Sequence, residues 1–197
     1  VEGPVWFPDH QCLLFSDIPA QRIYRYMSDG LVNVYRAQSN FANGNTRDRH
    51  GRLLTCQHGT RSITRTGHDG QITSLAASHQ GRKLNSPNDI IVKSDGSIWF
   101  TDPVYGIASD YEGYPAEPEQ EHCGVYCLEP AAAEISGRGA AAPGDCGSFD
   151  LRQVCNSFSQ PSGLAFSQDE TRLYIAESGA SFDGNIRPAV HVFDVVT

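Results

Sequence analysis

The amino-acid sequence predicts an all-β protein built from a repeated unit, as in a β-propeller. Short runs rich in β-branched and aromatic residues recur between Asp-Gly and Asn-Gly turn signals, and no helical period is sustained along the 197 residues. A turn aspartate recurs at Asp9, Asp48, Asp95 and Asp169, at spacings of 39, 47 and 74 residues. The first two spacings match a four-stranded blade of about 40–50 residues, and the third leaves room for an insertion.

The clearest copy of the unit spans 84–106, with the sequence LNSPNDIIVKSDGSIWFTDPVYG. Its Asp-Gly turn at Asp95 is expected to reverse the chain between a strand that starts near Asn88 and a returning strand. Further Asp-Gly turns at Asp29 and Asp69 predict the outer hairpins of two other blades. We therefore assign these three aspartates to turns rather than to catalysis.

Two stretches interrupt the repeat within what we expect to be a single domain over 1–197. The segment at about 104–122 is rich in Tyr, Glu and Pro, and it predicts a long loop beside one mouth of the propeller. The segment at about 131–147 is rich in Ala and Gly and has little to bury, which predicts an exposed loop. The two tryptophans, Trp6 and Trp99, are expected in the core.

The composition bounds the partners and the compartment. A hydrophobic content of 39% supports a core, and a net charge of −8 argues against nucleic acid or an anionic membrane surface as the main partner. No apolar run approaches the ~18 residues of a membrane-spanning helix, and we expect a cytoplasmic protein. The six cysteines lack the spacing of a zinc site, and a disulfide between Cys146 and Cys155 would require an exported protein.

The starts of the innermost strands are the candidate site. These strands converge on the central channel of a propeller, so equivalent positions at their starts should face one another. The position seven before each turn aspartate is Glu2, Phe41, Asn88 and Ser162. Three of these four side chains carry oxygen, which suits a hard divalent cation such as calcium or magnesium. The same residues could instead cap blade turns, and spacing alone leaves both interpretations open.

Four motifs in order add a family resemblance to this pattern. They are EGPVW at 2–6, NGNTRDRHGRLLTCQHGTR at 43–61, the stretch at 84–106 quoted above, and PSGLAFSQDETRLYIAES at 161–178. Together they resemble the gluconolactonase branch of the senescence marker protein/gluconolactonase/luciferin-regenerating enzyme family. The resemblance implies a six-bladed β-propeller with one divalent metal ion on its axis and lactone hydrolysis as its activity. This chain would cover about four of the six blades, as a truncated propeller.

The resemblance also implies which residues hold the metal ion. The family's glutamate falls on Glu2 and its first asparagine on Asn88, in agreement with the repeat. The second asparagine, in a PNGL motif, is replaced here by Ser162. The general base is an aspartate of a later motif, which is expected beyond Thr197. The implied cofactor is one divalent ion, with calcium expected and magnesium, zinc or manganese as alternatives.

Three more residues near strand ends are candidates for substrate contact: His58, Asp89 and Tyr105. Asp89 could instead orient its neighbour Asn88, or simply cap a turn. The predicted function is metal-dependent hydrolysis of a sugar-acid lactone, impaired in this chain by the substituted and missing ligands. The alternative is a non-enzymatic propeller that binds ligands or proteins. Four blades would leave open edges, which predicts self-association.

Overall fold

The computed structural model describes residues 1–130 and 149–196. These residues form four antiparallel blades in which each strand pairs with its neighbours in sequence, so the predicted all-β propeller is confirmed. A short helix, α1 (Tyr105–Ala108), and a two-stranded hairpin of β9 (Ser78–His79) and β10 (Arg82–Lys83) accompany the blades. No helix in the described ranges is long and apolar enough to cross a membrane.

Each blade runs from its innermost to its outermost strand along the chain. The first blade comprises β1 (Glu2–Phe7), β2 (Cys12–Asp17), β3 (Arg22–Met27) and β4 (Val32–Ala37). The second comprises β5 (Ala42–Arg47), β6 (Leu53–Gln57), β7 (Ser62–Thr66) and β8 (Ile72–Ala76). The third comprises β11 (Ile90–Val92), β12 (Ile98–Asp102), β13 (Cys123–Pro130) and β14 (Phe149–Phe158). The fourth comprises β15 (Pro161–Phe166), β16 (Arg172–Glu177) and β17 (Ala189–Asp194).

The Asp-Gly turns form as predicted, and each uses its aspartate in the same way. In the third blade, Gly96 has a φ of +89°, which favours glycine. The Asp95 Oδ1 atom accepts a hydrogen bond of 2.9 Å from the backbone N–H of Ser97. The aspartates at Asp29 and Asp69 likewise accept the backbone N–H two residues ahead. These carboxylates therefore stabilise the turns.

Some elements differ from the sequence-based expectations. The strand β14, which the sequence pattern did not indicate, completes the third blade. Its pairing with β13 shifts register twice, so its polar and apolar residues do not alternate regularly. The strand β11 begins at Ile90, two residues later than expected. Trp6 is 48% exposed rather than in the core. The predicted loop at 131–147, with Cys146, lies outside the described residues.

The apolar cores lie between successive blades. The members of each cluster come from facing sheets, so one blade supplies one wall and the next blade the other. The opposite face of the first blade carries a cross-strand row of apolar side chains from β1 to β4. In this row Trp6, Tyr26 and Val32 are 48%, 42% and 54% exposed. This exposed face explains why Trp6 is not in the core.

A bulge shapes the start of the innermost strands. In the first, second and fourth blades, two residues there oppose one on the neighbouring strand. Matching the ladders beyond this point makes Gly3, Asn43, Asn88 and Ser162 equivalent positions. The ladder thus places Gly3 and Asn43 where the count from the turn aspartate predicted Glu2 and Phe41. The count failed because the length from bulge to turn differs among blades.

Hydrogen bonds to main-chain carbonyl oxygens join the blades at these starts. The Gly44 N–H donates to the Asn88 carbonyl oxygen at 2.8 Å, which links the second blade to the third. The Asn45 Nδ2 atom donates to the Gly3 carbonyl oxygen at 3.1 Å, which links the first blade to the second. A Cβ atom at position 44 would collide with the Asn88 carbonyl oxygen and lie 2.8 Å from the Asp89 Cα atom. Glycine at position 44 therefore permits the close approach.

We expect the substitution Gly44→Ala to lower the free energy of unfolding by about 1–3 kcal/mol, because the added methyl group must push two main chains apart. Urea unfolding followed by fluorescence measures this change. The matched control is Gly184→Ala, since a Cβ atom there meets nothing within 4 Å. Equal stability of the two variants would contradict the proposed packing.

Candidate functional site

A cavity of about 680 Å³ lies where the starts of the innermost strands meet. Five of the six residues predicted from the sequence line it: Glu2, Ser162, Asn88, Asp89 and Tyr105. They come from the first, third and fourth blades and from the segment that follows β12. The cavity therefore brings together side chains that are far apart in the sequence.

The backbone around Asn88 is fixed on both sides. Its N–H donates to the Thr101 carbonyl oxygen at 2.9 Å, and its own carbonyl oxygen accepts the bond from Gly44. The Ser162 carbonyl oxygen accepts a 2.7 Å hydrogen bond from Thr101 Oγ1, which joins the third and fourth blades. The Ser162 hydroxyl lies 2.6 Å from the hydroxyl of Ser178, another residue of the cavity. Ser162 is therefore already hydrogen-bonded within the protein.

The Asp89 carboxylate connects two blades. Its Oδ1 atom accepts the Ile90 N–H at 2.9 Å, and its Oδ2 atom accepts the Leu164 N–H at 3.0 Å. Burial raises the pKa of Asp89, these two hydrogen bonds oppose the rise, and the charge of Glu2 adds to it. Because both oxygens are used by main-chain donors, the carboxylate holds the strand starts in place at the cavity wall.

His58 lies behind the cavity wall rather than on it. It is 1% exposed, and its ring nitrogens contact Asn43 and the loop residue Glu112. Burial lowers the pKa of His58 to about 4, against a weaker opposing effect of the hydrogen bond to Glu112. The ring is therefore neutral at neutral pH. A substrate would meet Asn43 before it met His58.

The segment between β12 and β13 forms one side of the mouth. Tyr105, at the start of α1, donates its hydroxyl hydrogen to the Ser178 carbonyl oxygen at 3.2 Å. Its ring lies 5.3 Å from that of Phe182, centroid to centroid. Glu112 of the same segment lines the cavity, and burial, followed by the charge of Glu2, raises its pKa. A raised pKa makes a carboxylate a stronger base.

The chemistry of the lining fits a hard cation. Three carboxylates face the cavity, from Glu2, Asp89 and Glu112, whereas no lysine, arginine or histidine of the described residues lines it. The remaining polar groups are amide and hydroxyl oxygens and nitrogens, of which the oxygens suit calcium or magnesium. Within residues 1–130 and 149–196, no three His, Cys, Asp or Glu side chains cluster to hold a metal ion. An ion here would therefore need the Asn and Ser oxygens as ligands.

The cavity residues that were not singled out from the sequence include Asn43, Glu112 and Ser178. Asn43 had a usable signal, because an Asn-Gly-Asn triplet is unusual inside a β-strand. Glu112 is one of several acidic residues of a long loop, and only the folded loop brings it to the mouth. Ser178 follows directly after β16, and only the folded chain brings it to the cavity.

Comparison with known proteins supports this arrangement. The family described as SMP-30/Gluconolactonase/LRE-like region matches residues 1–182. Gluconolactonase of Zymomonas mobilis subsp. mobilis is 30% identical over 191 residues, which cover 90% of this chain and 48% of that enzyme. The structure of a gluconolactonase from Xanthomonas campestris matches with a TM-score of 0.84 and 36% identity, over 98% of this chain and 57% of that chain.

A more distant structure shows the fold alone. Regucalcin from Agrobacterium tumefaciens, a calcium-binding protein, matches with a TM-score of 0.66 at 13% identity, over 99% of this chain and 54% of that chain. The fold and the cavity thus define a β-propeller of the kind found in gluconolactonases. The chain belongs to the SMP-30/gluconolactonase/LRE-like family, as the motifs predicted. It spans about half the length of the relatives named here.

A second buried carboxylate, Asp102, lies at the end of β12. Its side chain is 0% exposed, and its Oδ2 atom accepts the Asn85 N–H at 2.7 Å. Its Oδ1 atom is buried and has no hydrogen-bond partner within the described residues. Burial raises the pKa of Asp102 to about 7, with the Asn85 hydrogen bond and the charge of Arg61 opposing the rise. The folded protein therefore favours the protonated carboxyl.

We expect this carboxyl to make stability depend on pH. Its pKa rises from 3.8 in the unfolded chain to about 7 in the folded protein, so the folded state binds the proton more tightly. Its contribution is fully present below about pH 4 and is lost as the pH rises towards 7. The variant Asp102→Asn should gain about 2–4 kcal/mol relative to the unchanged protein between pH 4 and pH 7. Urea unfolding across this range tests the prediction, and parallel pH profiles would contradict it.

Proposed function

We propose that this protein hydrolyses a sugar-acid lactone with the help of a divalent cation bound in the cavity between the blade starts. The observation that carries the proposal is the convergence of oxygen-bearing side chains from several blades on one cavity that lacks basic residues in the described chain. The similarity to gluconolactonases of two bacteria supports the choice of reaction. Gluconolactone is the substrate with which we would begin.

The residues proposed to hold the ion are Glu2, Asn88 and Ser162. Glu2 supplies negative charge, whereas Asn88 and Ser162 supply neutral oxygens at equivalent positions of neighbouring blades. All-oxygen ligands favour calcium, with magnesium, manganese or zinc as alternatives. A divalent ion polarises a lactone carbonyl, stabilises the oxyanion and lowers the pKa of bound water.

The other residues of the cavity would orient and enclose the substrate. Asp89 keeps the third and fourth blades in register, so that Asn88 and Ser162 stay beside each other. Tyr105 presents a phenol ring at the mouth, and its hydroxyl is anchored on Ser178. His58 does not line the cavity and would not touch the substrate, but it holds the Asn43 side chain through a hydrogen bond. Glu112 is a carboxylate that could accept a proton from an attacking water.

We expect the ion to be weakly held. The Ser162 side chain is shorter than the asparagine that the family resemblance implies at this position. Its hydroxyl also shares a hydrogen bond with Ser178 at 2.6 Å, so binding an ion requires the pair to rearrange. One tightly retained ion per chain after extensive dialysis would contradict this expectation.

Activity and metal dependence can be tested together. We expect hydrolysis of gluconolactone, followed by base uptake in a pH-stat, to fall on addition of a chelator and to recover with calcium. The variant Glu2→Gln should lower kcat/KM by at least about tenfold at fixed calcium, because it removes a charged ligand. The control is Glu121→Gln, an exposed glutamate of the same segment as Glu112.

The outcomes separate the two candidate functions. Turnover that is insensitive to the chelator would overturn the proposed metal dependence. Calcium binding without any lactone turnover would favour a propeller that binds ligands or proteins. A Glu2→Gln variant as active as the control would overturn the proposed role of Glu2.

We also propose that the protein self-associates through the exposed face of the first blade, defined by Trp6, Tyr26 and Val32. Burial of such a face from water is favourable, and exposed apolar sheet faces commonly mark association sites. Sedimentation velocity at rising concentration should show species larger than a monomer. The variant Val32→Lys should shift the population towards the monomer, whereas Tyr111→Lys, at an exposed loop residue, should not. A monomer at all concentrations would contradict self-association.

A further inference from the structure

Asn43 occupies the position in the second blade that Asn88 and Ser162 occupy in the third and fourth. It is 4% exposed and lines the same cavity. Equivalent positions at the starts of innermost strands are directed towards the shared axis. The second blade therefore also contributes a carboxamide to the cavity, at a point that the family motifs quoted above leave unassigned.

The orientation of this carboxamide follows from its neighbours. His58 Nδ1 lies 2.9 Å from the Glu112 carbonyl oxygen, which can only accept a hydrogen bond. Nδ1 must therefore carry the hydrogen, and in a neutral ring Nε2 must be an acceptor. The Asn43 Nδ2 atom donates to this Nε2 at 3.1 Å. The Asn43 amide is thus held with its nitrogen on His58 and its oxygen free to face the cavity.

The neighbouring Asn45 shows what a purely structural asparagine looks like here. Its Nδ2 atom lies within hydrogen-bond distance of three oxygens, and its Oδ1 atom accepts a 3.0 Å hydrogen bond from Thr55 Oγ1. Both ends of the Asn45 amide are therefore occupied. No donor among the described residues reaches the Asn43 Oδ1 atom, although Asn43 is slightly more buried than Asn45. The Asn43 Oδ1 atom is therefore the end of the amide that stays open to a ligand in the cavity.

His58 is closely packed by the segment after β12. Gly106 in α1 lies directly against the ring, and a Cβ atom there would come within 2.5 Å of Cβ and Nδ1 of His58. The Gly106 N–H is itself fixed by a 2.9 Å hydrogen bond to Ser86 Oγ. The segment that carries Glu112 thus holds the ring from two sides. This arrangement fixes the acceptor that Asn43 needs.

We propose that the Asn43 Oδ1 atom is a further ligand for the divalent cation, and that His58 is a positioning residue that fixes its orientation. The inference rests on the proposed function, because it concerns the same cation. It supplies a neutral oxygen that compensates for the short Ser162 side chain. It also gives the buried histidine a role that does not require contact with substrate.

Calcium affinity of the purified protein, measured by titration calorimetry, tests the role of Asn43 without relying on turnover. We expect Asn43→Ala to raise the Kd for calcium by about tenfold or more. Asn43→Asp keeps an oxygen and adds charge, so it should bind calcium at least as tightly as the unchanged protein. The matched control is Asn33→Ala on β4, whose side chain accepts a hydrogen bond from Arg25 away from the cavity.

The role of His58 is tested by two variants of different hydrogen-bonding capacity. His58→Leu removes the acceptor and should weaken calcium binding by about tenfold. His58→Gln offers an oxygen to Asn43 and an N–H to Glu112, so it should restore most of the affinity. In the double variant Asn43→Ala/His58→Leu, the two losses should not add, because His58 acts through Asn43.

Each outcome has one meaning. If the unchanged protein binds no calcium, the proposed function and this inference are both overturned. If it binds calcium and the Asn43 variants match the Asn33 control, only this inference is overturned. If Asn43→Ala does not fold, the Asn43→Asp variant decides, because weaker binding there contradicts a ligand role. Additive losses in the double variant would overturn the positioning role of His58.

Discussion

The close approach of main chains at the axis is the constraint on which the rest of the structure depends. The second and third blades meet through a direct hydrogen bond from the Gly44 N–H to the Asn88 carbonyl oxygen. Such an approach leaves no room for a side chain at position 44. In the first, second and fourth blades the innermost strand begins with a bulge. In the second and fourth blades the first residue of this bulge, Asn43 or Ser162, lines the cavity. The site is therefore a product of how the blades pack.

This packing explains why some polar residues hold the blades together and others face the cavity. The side chains of Asp89 and Asn45 form hydrogen bonds with the main chain of neighbouring blades. These bonds keep the strand starts in register. Asn43, Asn88 and Ser162 share the equivalent position that faces the cavity. Burial raises the pKa of Asp89 and of Glu112, and the negative charge of Glu2 adds to both rises. A cation would relieve this repulsion.

Several parts of the molecule could be predicted from the sequence because their causes are local. The turn at Asp95 depends on a glycine with positive φ and on an aspartate two residues before its donor. The residues of the site were harder to predict, because their positions depend on strand register, which a count along the chain does not capture. The count led to Phe41 where the ladder has Asn43. The strand β14 was missed because its bulges break the alternation of polar and apolar residues. Glu112 reaches the mouth only through the fold of its loop.

The distribution of the cavity's oxygens over separate blades has a mechanical consequence. Each blade is a nearly self-contained sheet, so splaying two blades would separate the oxygens that face one another at the axis. A ligand that binds only the assembled arrangement would oppose this motion, with a free energy of about 2.7 kcal/mol at a concentration one hundred times its Kd. The ion would then hold the blades together. In such a propeller, calcium concentration would govern cohesion of the ring as well as chemistry at its centre.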